Sequence, residues 1–368
     1  MIITVLLYTL VVAVVIQTCY LFSFLPFVFH QSKTTRSEEH IPVSIIVCAK
    51  NEVENLKKLI PLLLKQNHPN FELVLINDAS NDDTLDLMHQ YEKKDKRIKI
   101  VNVKNNEAFW GNKKYALTLG IKTAKHNHLL FTDADCIPNS EHWAEQMSQQ
   151  FSIKKTIVLG YGRYSSKKNS LVNLLVRYET VLTAIQYFSY AKLGSPYMGV
   201  GRNLAYTRDE FFRVKGFINH IQIRSGDDDL FIKDAGTSSN TTIAVHPESF
   251  TISEAPENFL AWFRQKRRHI STAIHYKSKH KFFLGLFFLS KVIFFLIAPV
   301  LFFFVSLTVM VPIVASYFII NYLIIGFSAR KLKENQVLYF QPFLELFLVL
   351  FQISIFIANT ISKPTHWK

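Results

Sequence analysis

Two aspartates end an apolar run near the middle of the chain. In the stretch 128–136, HLLFTDADC, Asp133 and Asp135 are separated by a single alanine. Two carboxylates at that spacing repel each other unless a positive charge lies between them. Carboxylate oxygens are ligands that hard divalent cations such as Mg²⁺ or Mn²⁺ prefer. The spacing therefore predicts a cation site at the end of a buried strand.

A second acidic group occupies residues 227–229, in the sequence SGDDDLF. Three adjacent aspartates repel one another, so at least one should have a raised pKa unless a metal ion or an arginine relieves the repulsion. A carboxylate with a raised pKa suits the role of general base. The alternative is a solvated acidic helix start, because acids are favourable in the first turn of a helix.

The elements that would position these acids alternate through residues 40–275. Short apolar runs, typical of buried parallel strands, are VSIIVCAKNE, FELVLINDAS, IKIVNV and HLLFTDAD. The segments between them carry apolar residues at helical spacing. Alternating strands and helices predict an α/β fold with a doubly wound sheet.

Polar residues follow three of the predicted strands. Asn51 and Glu52 come after the first strand, Asp78 ends the second, and Asp133 and Asp135 end the fourth. Each acid alone could simply cap the next helix. In doubly wound sheets, however, ligands bind beyond the carboxyl ends of the strands. We therefore expect these side chains to converge on one crevice.

Uncharged apolar segments flank the α/β region, and the hydrophobic content of 49% exceeds what one soluble fold requires. Residues 2–29 are longer than the roughly 20 residues that span a bilayer, and they lack the features of a cleaved signal peptide. They predict a transmembrane anchor over residues 1–30. The stretches 282–327 and 339–358 predict a C-terminal membrane region, residues 282–360, with two or three transmembrane helices. The last stretch either spans or re-enters the membrane.

Basic residues indicate the orientation. Lys33 and Arg36 follow the first apolar segment, and Lys277, Lys279 and Lys281 precede the second. Cytoplasmic flanks carry such residues in excess, so we expect an integral protein of the cytoplasmic membrane with its α/β domain in the cytoplasm. Contact with anionic membrane lipids accounts for the net charge of +14. The sequence contains no nucleic-acid-binding motif, so no nucleic acid partner is expected.

Seven segments occur in a fixed order along residues 42–270: VSIIVCAKNE, NDASNDDT, GNKKYALTLGI, FTDADC, GVGRNLAYTRDEFFRVKGF, SGDDDLF and QKRRH. This ordered set resembles the family 2 glycosyltransferases, which have the GT-A fold. The resemblance implies a GT-A-type doubly wound mixed sheet. It also implies a nucleotide-diphosphate sugar as donor, with a UDP-linked sugar as the first expectation, and Mg²⁺ or Mn²⁺ as cofactor.

The resemblance also implies roles for the residues at the strand ends. Asp135 corresponds to the direct metal ligand, and Asp133 is shared between the ribose and the metal ion. Asp78 and the turn that contains Asn51 and Glu52 correspond to the residues around the nucleotide base. The strand ends thus form the expected donor site.

Two basic segments match further motifs of the family. Lys113 corresponds to a lysine near the nucleotide, and Lys114 is then expected to be its solvated neighbour. The segment QKRRH resembles the QxxRW motif, with Gln265 and Arg268 in place but His269 where tryptophan is expected. This motif implies contacts with the acceptor sugar and the diphosphate, and Arg268 retains the fork that binds phosphate.

The acid run contains the expected catalytic base. Alignment on Gly226 makes Asp228 the carboxylate that removes the proton of the acceptor hydroxyl. A single displacement of this kind inverts configuration at the sugar carbon. Because the third aspartate leaves the register ambiguous by one residue, Asp229 is the second candidate.

The resulting hypothesis is a membrane-bound, metal-dependent, inverting glycosyltransferase of the hexosyltransferase type. It would transfer a sugar to a lipid-linked or envelope glycan acceptor on the cytoplasmic face. A processive polysaccharide synthase is the alternative, but three C-terminal spans and the altered QKRRH motif are poorly suited to polymer export. A non-catalytic membrane scaffold is the third possibility. The presence of every expected acid favours an enzyme.

Overall fold

The computed structural model describes residues 1–32, 40–104, 113–223 and 225–362. Strands and helices alternate through the middle of the chain, and long helices occupy both ends. The strands are β1 (Val43–Ala49), β2 (Phe71–Asp78), β3 (Ile98–Val103), β4 (His128–Asp133), β5 (Cys136–Pro138), β6 (Ile157–Leu159), β7 (Gly162–Tyr164), β8 (Leu204–Thr207), β9 (Thr241–Ile243) and β10 (Thr251–Ser253). The α-helices are α1 (Ile2–Ser23), α2 (Leu25–Val28), α3 (Val53–Leu64), α4 (Thr84–Glu92), α5 (Lys113–Thr123), α6 (Trp143–Ser148), α7 (Leu171–Lys192), α8 (Arg208–Arg213), α9 (Asp229–Ala235), α10 (Phe259–Ile270), α11 (Ser278–Leu301), α12 (Leu307–Lys331) and α13 (Gln341–Ile361).

The main sheet is mixed, with the strand order β3-β2-β1-β4-β8-β6-β9. Strands β1 to β4 are parallel to their neighbours among these four, whereas β8 pairs antiparallel with both β4 and β6. A smaller sheet has the order β5-β10-β7 and begins directly after the two aspartates of FTDADC. The predicted α/β fold with a doubly wound mixed sheet is therefore confirmed.

Alternate residues of the central strands face two different cores. Ile46 of β1 and Ile76 of β2 pack with Ala116 of α5 on one face of the sheet. Ile45 packs with Leu59 of α3 on the opposite face. Because side chains alternate along a strand, a nearly continuous apolar run is what a sheet covered on both faces requires.

Within the described part of the chain, four stretches of helix are long and apolar enough to cross a membrane. They are residues 2–28, which combine α1 and α2, together with α11, α12 and α13, and their mean hydropathy lies between 2.0 and 2.4. Helix α11 begins slightly before the predicted residue 282 because the polar segment SKHK is already helical. Lys33 and Arg36, on which the predicted orientation partly depends, lie outside the described residues.

Polar side chains connect the apolar helices to one another. Glu345 of α13 pairs with Lys291 of α11 and accepts hydrogen bonds from Tyr317 (2.7 Å) and Asn321 (2.9 Å) of α12. In apolar surroundings a charge is stable only when it is paired in this way. The cluster therefore fixes α13 against α11 and α12.

The carboxyl end of α13 lies against α10. The rings of Trp262 and Phe351 stack with their centroids 3.9 Å apart. Arg267 donates to Asn359 Oδ1 at 2.8 Å and to the carbonyl of Ala358 at 3.1 Å. Helix α10 follows the α/β domain in sequence, so the last apolar helix ends beside that domain.

Candidate active site

The carboxyl ends of β1, β2 and β4 lie at one edge of the main sheet. Ala49 of β1 pairs with Asn77 of β2, and Cys48 pairs with Asp133 of β4. This register brings the residues that follow the three strands to the same place, as the parallel pairing predicts.

Lys113, at the start of α5, lies between two of the acids. Its Nζ is 2.7 Å from Asp133 Oδ1 and 3.0 Å from Asp227 Oδ2. Although burial alone would lower the pKa of Lys113, the two carboxylates raise it well above its ordinary value. Burial alone would likewise raise the pKa of Asp227, but Lys113 holds it below the usual value. The three groups therefore form a charged cluster.

Asp228 lines the same cavity as Lys113, Asp133 and Asp227. Its Oδ2 accepts a hydrogen bond from the backbone N–H of Gly201 (2.7 Å), and its Oδ1 accepts one from Asp229 N–H (2.7 Å). Burial and the neighbouring carboxylates raise the pKa of Asp228 to about 7. This is the value at which a carboxylate works best as a general base near neutral pH.

Asp229 has different surroundings from Asp228. It is only 6% exposed, and its Oδ2 accepts hydrogen bonds from Thr272 Oγ1 (2.5 Å) and Tyr276 OH (2.7 Å). Its Oδ1 accepts from the backbone N–H of Leu230. These partners turn Asp229 towards the segment that precedes α11 and favour Asp228 as the residue that faces the cavity.

The two aspartates of FTDADC form a candidate cation site. Ligand atoms of Asp133, Asp135 and Cys136 all lie within 4.8 Å of one another. Burial raises the pKa of the Cys136 thiol well above its ordinary value, so the sulfur stays protonated and is a poor ligand. The donor set that remains consists of carboxylate oxygens, which fit Mg²⁺ or Mn²⁺.

The residues expected around the nucleotide base lie in the loop after β1 and at the end of β2. Asn51 N–H donates to Ser80 Oγ at 3.0 Å, and Asn51 Oδ1 accepts from the backbone N–H of Asn81 at 2.8 Å, so the loops after β1 and β2 are joined. Glu52 accepts a hydrogen bond from the Asn55 side chain. Burial raises the pKa of Asp78 at the end of β2, while Lys50 and Lys113 oppose that shift.

The QxxR segment lies on α10 and approaches the site through Tyr164. Gln265 Nε2 is 3.4 Å from Tyr164 OH. Burial lowers the pKa of Arg268, and Tyr164 opposes this shift. The guanidinium carbon of Arg202 lies 4.3 Å from the centroid of the same tyrosine ring. Trp262 is buried against α13 and therefore does not replace the tryptophan expected at position 269.

The prediction for Lys114 is wrong, because this residue is buried rather than solvated. It is 1% exposed, and its Nζ donates to the carbonyls of His220 (2.7 Å) and Ile223 (2.8 Å). Burial lowers the pKa of Lys114 to about 8, although the nearby aspartates oppose the shift. Lys114 thus holds the segment that leads into the acid run. Its partners lie far away in the sequence, so spacing alone gave no signal of them.

Two other residues of the site were not singled out from the sequence. Asp227 belongs to the predicted acid run, but its ion pair with Lys113 depends on the folding of two distant segments. Arg202 lies in the segment GVGRN, whose glycines and arginine were noted only as part of a motif. The signal available for Arg202 was an arginine beside a glycine-rich turn.

Comparison with known proteins identifies a family model and several relatives that this chain resembles. Residues 44–210 match the model of Glycosyl transferase family 2. An uncharacterized glycosyltransferase of Haemophilus influenzae is 34% identical over 105 residues, which are 28% of this chain and 31% of that protein. The putative teichuronic acid biosynthesis glycosyltransferase TuaG of Bacillus subtilis is 26% identical over 123 residues, 33% of this chain and 46% of TuaG. The matched region thus spans less than half the length of either relative.

A solved structure resembles nearly the whole chain. It is the mannosyltransferase PcManGT from Pyrobaculum calidifontis, in complex with GDP-Man and Mn²⁺. The TM-score is 0.60 at 14% sequence identity, and the match covers 94% of this chain and 99% of that protein. At this identity the likeness concerns the fold alone. The family match concerns residues 44–210, which are less than half of the chain, and the structural likeness shows that the fold is of the GT-A type.

Proposed function

We propose that the protein is a membrane-bound, metal-dependent glycosyltransferase that inverts configuration at the transferred sugar. The observation that carries the proposal is the single cavity lined by Asp133, Lys113, Asp227 and Asp228. At one end, Asp133 and its neighbour Asp135 suit a cation and a diphosphate. At the other end, Asp228 suits proton transfer. A donor that carries both a diphosphate and a reactive sugar carbon requires both of these groups.

On this proposal the donor is a nucleotide-diphosphate sugar, with UDP and GDP as the nucleotides to compare first. Asp133 and Asp135 would hold Mg²⁺ or Mn²⁺, and the bound ion would offset the charge of the diphosphate leaving group. Lys113 occupies Asp133 Oδ1 and leaves Oδ2 for the ion or the ribose. Asp78, together with the turn that contains Asn51 and Glu52, surrounds the nucleotide base on this proposal.

Asp228 acts as the general base. Each of its oxygens accepts one backbone N–H, and a carboxylate oxygen has a further lone pair to accept a proton. Asp228 takes the proton of the acceptor hydroxyl while that oxygen attacks the anomeric carbon. The bond from this carbon to the phosphate oxygen breaks, and the nucleoside diphosphate leaves. Asp229 positions Asp228 through its bonds to Thr272 and Tyr276.

The acceptor in this proposal is a lipid-linked or envelope glycan, and the catalytic domain faces the cytoplasm. Four apolar helices support a location in the membrane. The contact between α10 and the carboxyl end of α13 supports a last helix that re-enters the membrane. The name of TuaG, a relative in part of its length, is compatible with a role in building the cell envelope. Transfer of one or a few sugars remains favoured over processive synthesis.

The test is turnover of labelled nucleotide sugars by the purified protein in detergent or in native membranes. We expect release of nucleoside diphosphate from at least one UDP- or GDP-linked sugar with Mn²⁺ or Mg²⁺, and loss of that activity with EDTA.

The Asp135→Asn variant should lose metal-dependent binding of nucleoside diphosphate in titration calorimetry, because an amide lacks the charge a hard cation requires. The Asp95→Asn variant, whose carboxylate pairs with Arg97 at the surface, is the control.

Two results would contradict the proposal. If no nucleotide sugar is turned over under any of these conditions, the scaffold hypothesis is preferred. If Asp135→Asn binds the nucleoside diphosphate and Mn²⁺ as tightly as the parent, Asp135 does not hold the metal.

A further inference from the structure

Arg202 is held rigidly at the border between the two sheets. Its carbonyl accepts hydrogen bonds from Thr132 Oγ1 (3.1 Å), beside the end of β4, and from Thr251 Oγ1 (2.9 Å) of β10. The residue before it, Gly201, donates its backbone N–H to Asp228. The same short turn therefore positions both the candidate base and the arginine.

The side chain of Arg202 is also fixed. One terminal nitrogen donates to Ser253 Oγ at 2.9 Å, and the guanidinium lies over the ring of Tyr164. Gly162 provides room for it, because a Cβ at Gly162 would lie 3.0 Å from Arg202 Cβ and 3.3 Å from Arg202 Nε. An arginine fixed in this way loses little side-chain entropy when it binds an anion.

The charge of Arg202 is not paired within the described residues. No carboxylate in ranges 1–32, 40–104, 113–223 and 225–362 lies within ion-pair distance of its guanidinium, whereas Lys113 is paired with two. Burial opposes the charge of Arg202, but Tyr164, Cys136 and, to a smaller extent, Asp133 and Asp135 raise its pKa above the ordinary value. The arginine therefore stays charged beside the predicted cation site without closing onto it.

We propose that Arg202 binds the phosphate next to the transferred sugar, on the side of the diphosphate opposite Asp133 and Asp135. This inference rests on the proposed function. When the bond between the anomeric carbon and that phosphate oxygen breaks, negative charge develops on the oxygen, and a fixed guanidinium offsets it. The connection to Gly201 and Asp228 places Arg202 at the reacting end of the donor, away from the nucleotide base.

A purely structural role for Arg202, as a link between β10 and Tyr164, makes a different prediction. A structural role would weaken the binding of every nucleotide to a similar extent. Binding of the outer phosphate would affect nucleoside diphosphates and leave nucleoside monophosphates nearly unchanged. The comparison of these two ligand types therefore separates the roles.

The experiment measures binding of UDP, UMP, GDP and GMP with Mn²⁺ by titration calorimetry, for the parent and Arg202→Gln. We expect the diphosphate that the parent prefers to bind about 10- to 100-fold more weakly, the range for a lost hydrogen bond to a charged group. The corresponding monophosphate should change by less than about threefold, since its phosphate lies beyond reach of Arg202. Arg202→Lys keeps the charge without the fork and should give an intermediate loss of diphosphate affinity.

Arg208→Gln is the matched control, because Arg208 donates to the carbonyl of Ala124 and lies on α8. It should bind both ligand types like the parent. Equal losses of diphosphate and monophosphate affinity in Arg202→Gln and Arg202→Lys, or no loss in either, would overturn the inference. If the parent itself binds neither UDP nor GDP with Mn²⁺, the proposed function fails first, and the role of Arg202 fails with it.

Discussion

Asp228 and Asp229 are neighbours in sequence, but their carboxylates have different partners. Asp228 lines the cavity, whereas Asp229 bonds to Thr272 and Tyr276. We expect Asp228→Asn to lower turnover by about 10²- to 10⁴-fold, the usual contribution of a general base, with donor affinity nearly unchanged. Asp229→Asn should reduce turnover much less. Steady-state kinetics and donor binding, measured on both variants in one preparation, check this.

Asp229→Asn should instead lower stability, because an amide replaces the oxygen that accepts two hydroxyl hydrogen bonds. The expected cost is about 1–3 kcal/mol, measured by thermal or denaturant unfolding. If turnover falls strongly in Asp229→Asn but stays near that of the parent in Asp228→Asn, Asp229 is the base. Small rate losses in both variants would place the base elsewhere.

The pKa of Asp228 leads to a prediction about pH. Burial and the adjacent aspartates raise this pKa to about 7. The carboxylate that accepts the proton is therefore scarce below pH 7 and predominant above it. We expect kcat/KM to rise about tenfold per pH unit on the acid side and to level off above about pH 7. A rate that is flat between about pH 5 and 8, with the metal kept saturating, would exclude this role.

The acidic residues at the strand ends could be predicted from the sequence, whereas the hydrogen-bond partners of the neighbouring basic residues could not. The spacing of Asp133 and Asp135 and the register of parallel strands were sufficient to expect a cation site at the sheet edge. The bonds from Lys114 to His220 and Ile223 could not be predicted, because they join segments about a hundred residues apart. Which of two adjacent lysines faces solvent depends on the tertiary fold rather than on local pattern.

At the level of elements, the packing of α5 against β2 depends on one small residue. A Cβ at Gly120 would lie 2.2 Å from Ile76 Cδ1 and 2.8 Å from Ile76 Cγ1. We expect Gly120→Ala to destabilise the protein by about 1–3 kcal/mol, since the core has no room for the added methyl group. Unfolding by heat or denaturant measures the change.

Two further variants separate the contact between the added methyl group and Ile76 from the general effect of replacing a helical glycine by alanine. Gly285→Ala on α11 adds a methyl group where no atom lies within 4 Å, and it should leave stability nearly unchanged. Ile76→Val removes Cδ1 and should offset part of the cost of Gly120→Ala in the double variant. Stability of Gly120→Ala equal to that of the parent would show that Ile76 relaxes without cost.

The strands β1 to β4 were predictable because their apolar runs and the helices between them are long and regular. Helix α7 was not predicted, although it extends over Leu171–Lys192. Most of its residues are buried, so it lacks the polar face by which an amphipathic helix is recognised. Its Arg177 pairs with Glu334 at 2.5 Å, a contact that joins the α/β domain to the segment after α12.

At the level of the whole molecule, polar contacts near both ends of α13 position the long apolar helices against the α/β domain. Glu345 bonds to Lys291, Tyr317 and Asn321 among the apolar helices. Asn359, near the other end, accepts from Arg267 of α10. If α11 and α12 cross a bilayer, these two contacts keep the carboxyl end of α13 on the side of the α/β domain.

We therefore expect Ser362, at the carboxyl end of α13, to face the same side of the membrane as the catalytic domain. The test is labelling of Ser362→Cys with a membrane-impermeant thiol reagent, in intact cells and in inverted vesicles. Ile153→Cys, fully exposed on the catalytic domain, marks that side, and Ser306→Cys, between α11 and α12, marks the opposite side. The parent, with its own cysteines Cys19, Cys48 and Cys136, gives the background.

Labelling of Ser362→Cys together with Ile153→Cys supports a re-entrant helix, because Arg267 holds that end beside α10. If Ser362→Cys is instead labelled under the same conditions as Ser306→Cys, α13 crosses the membrane, and its contact with α10 does not form in the membrane-bound protein.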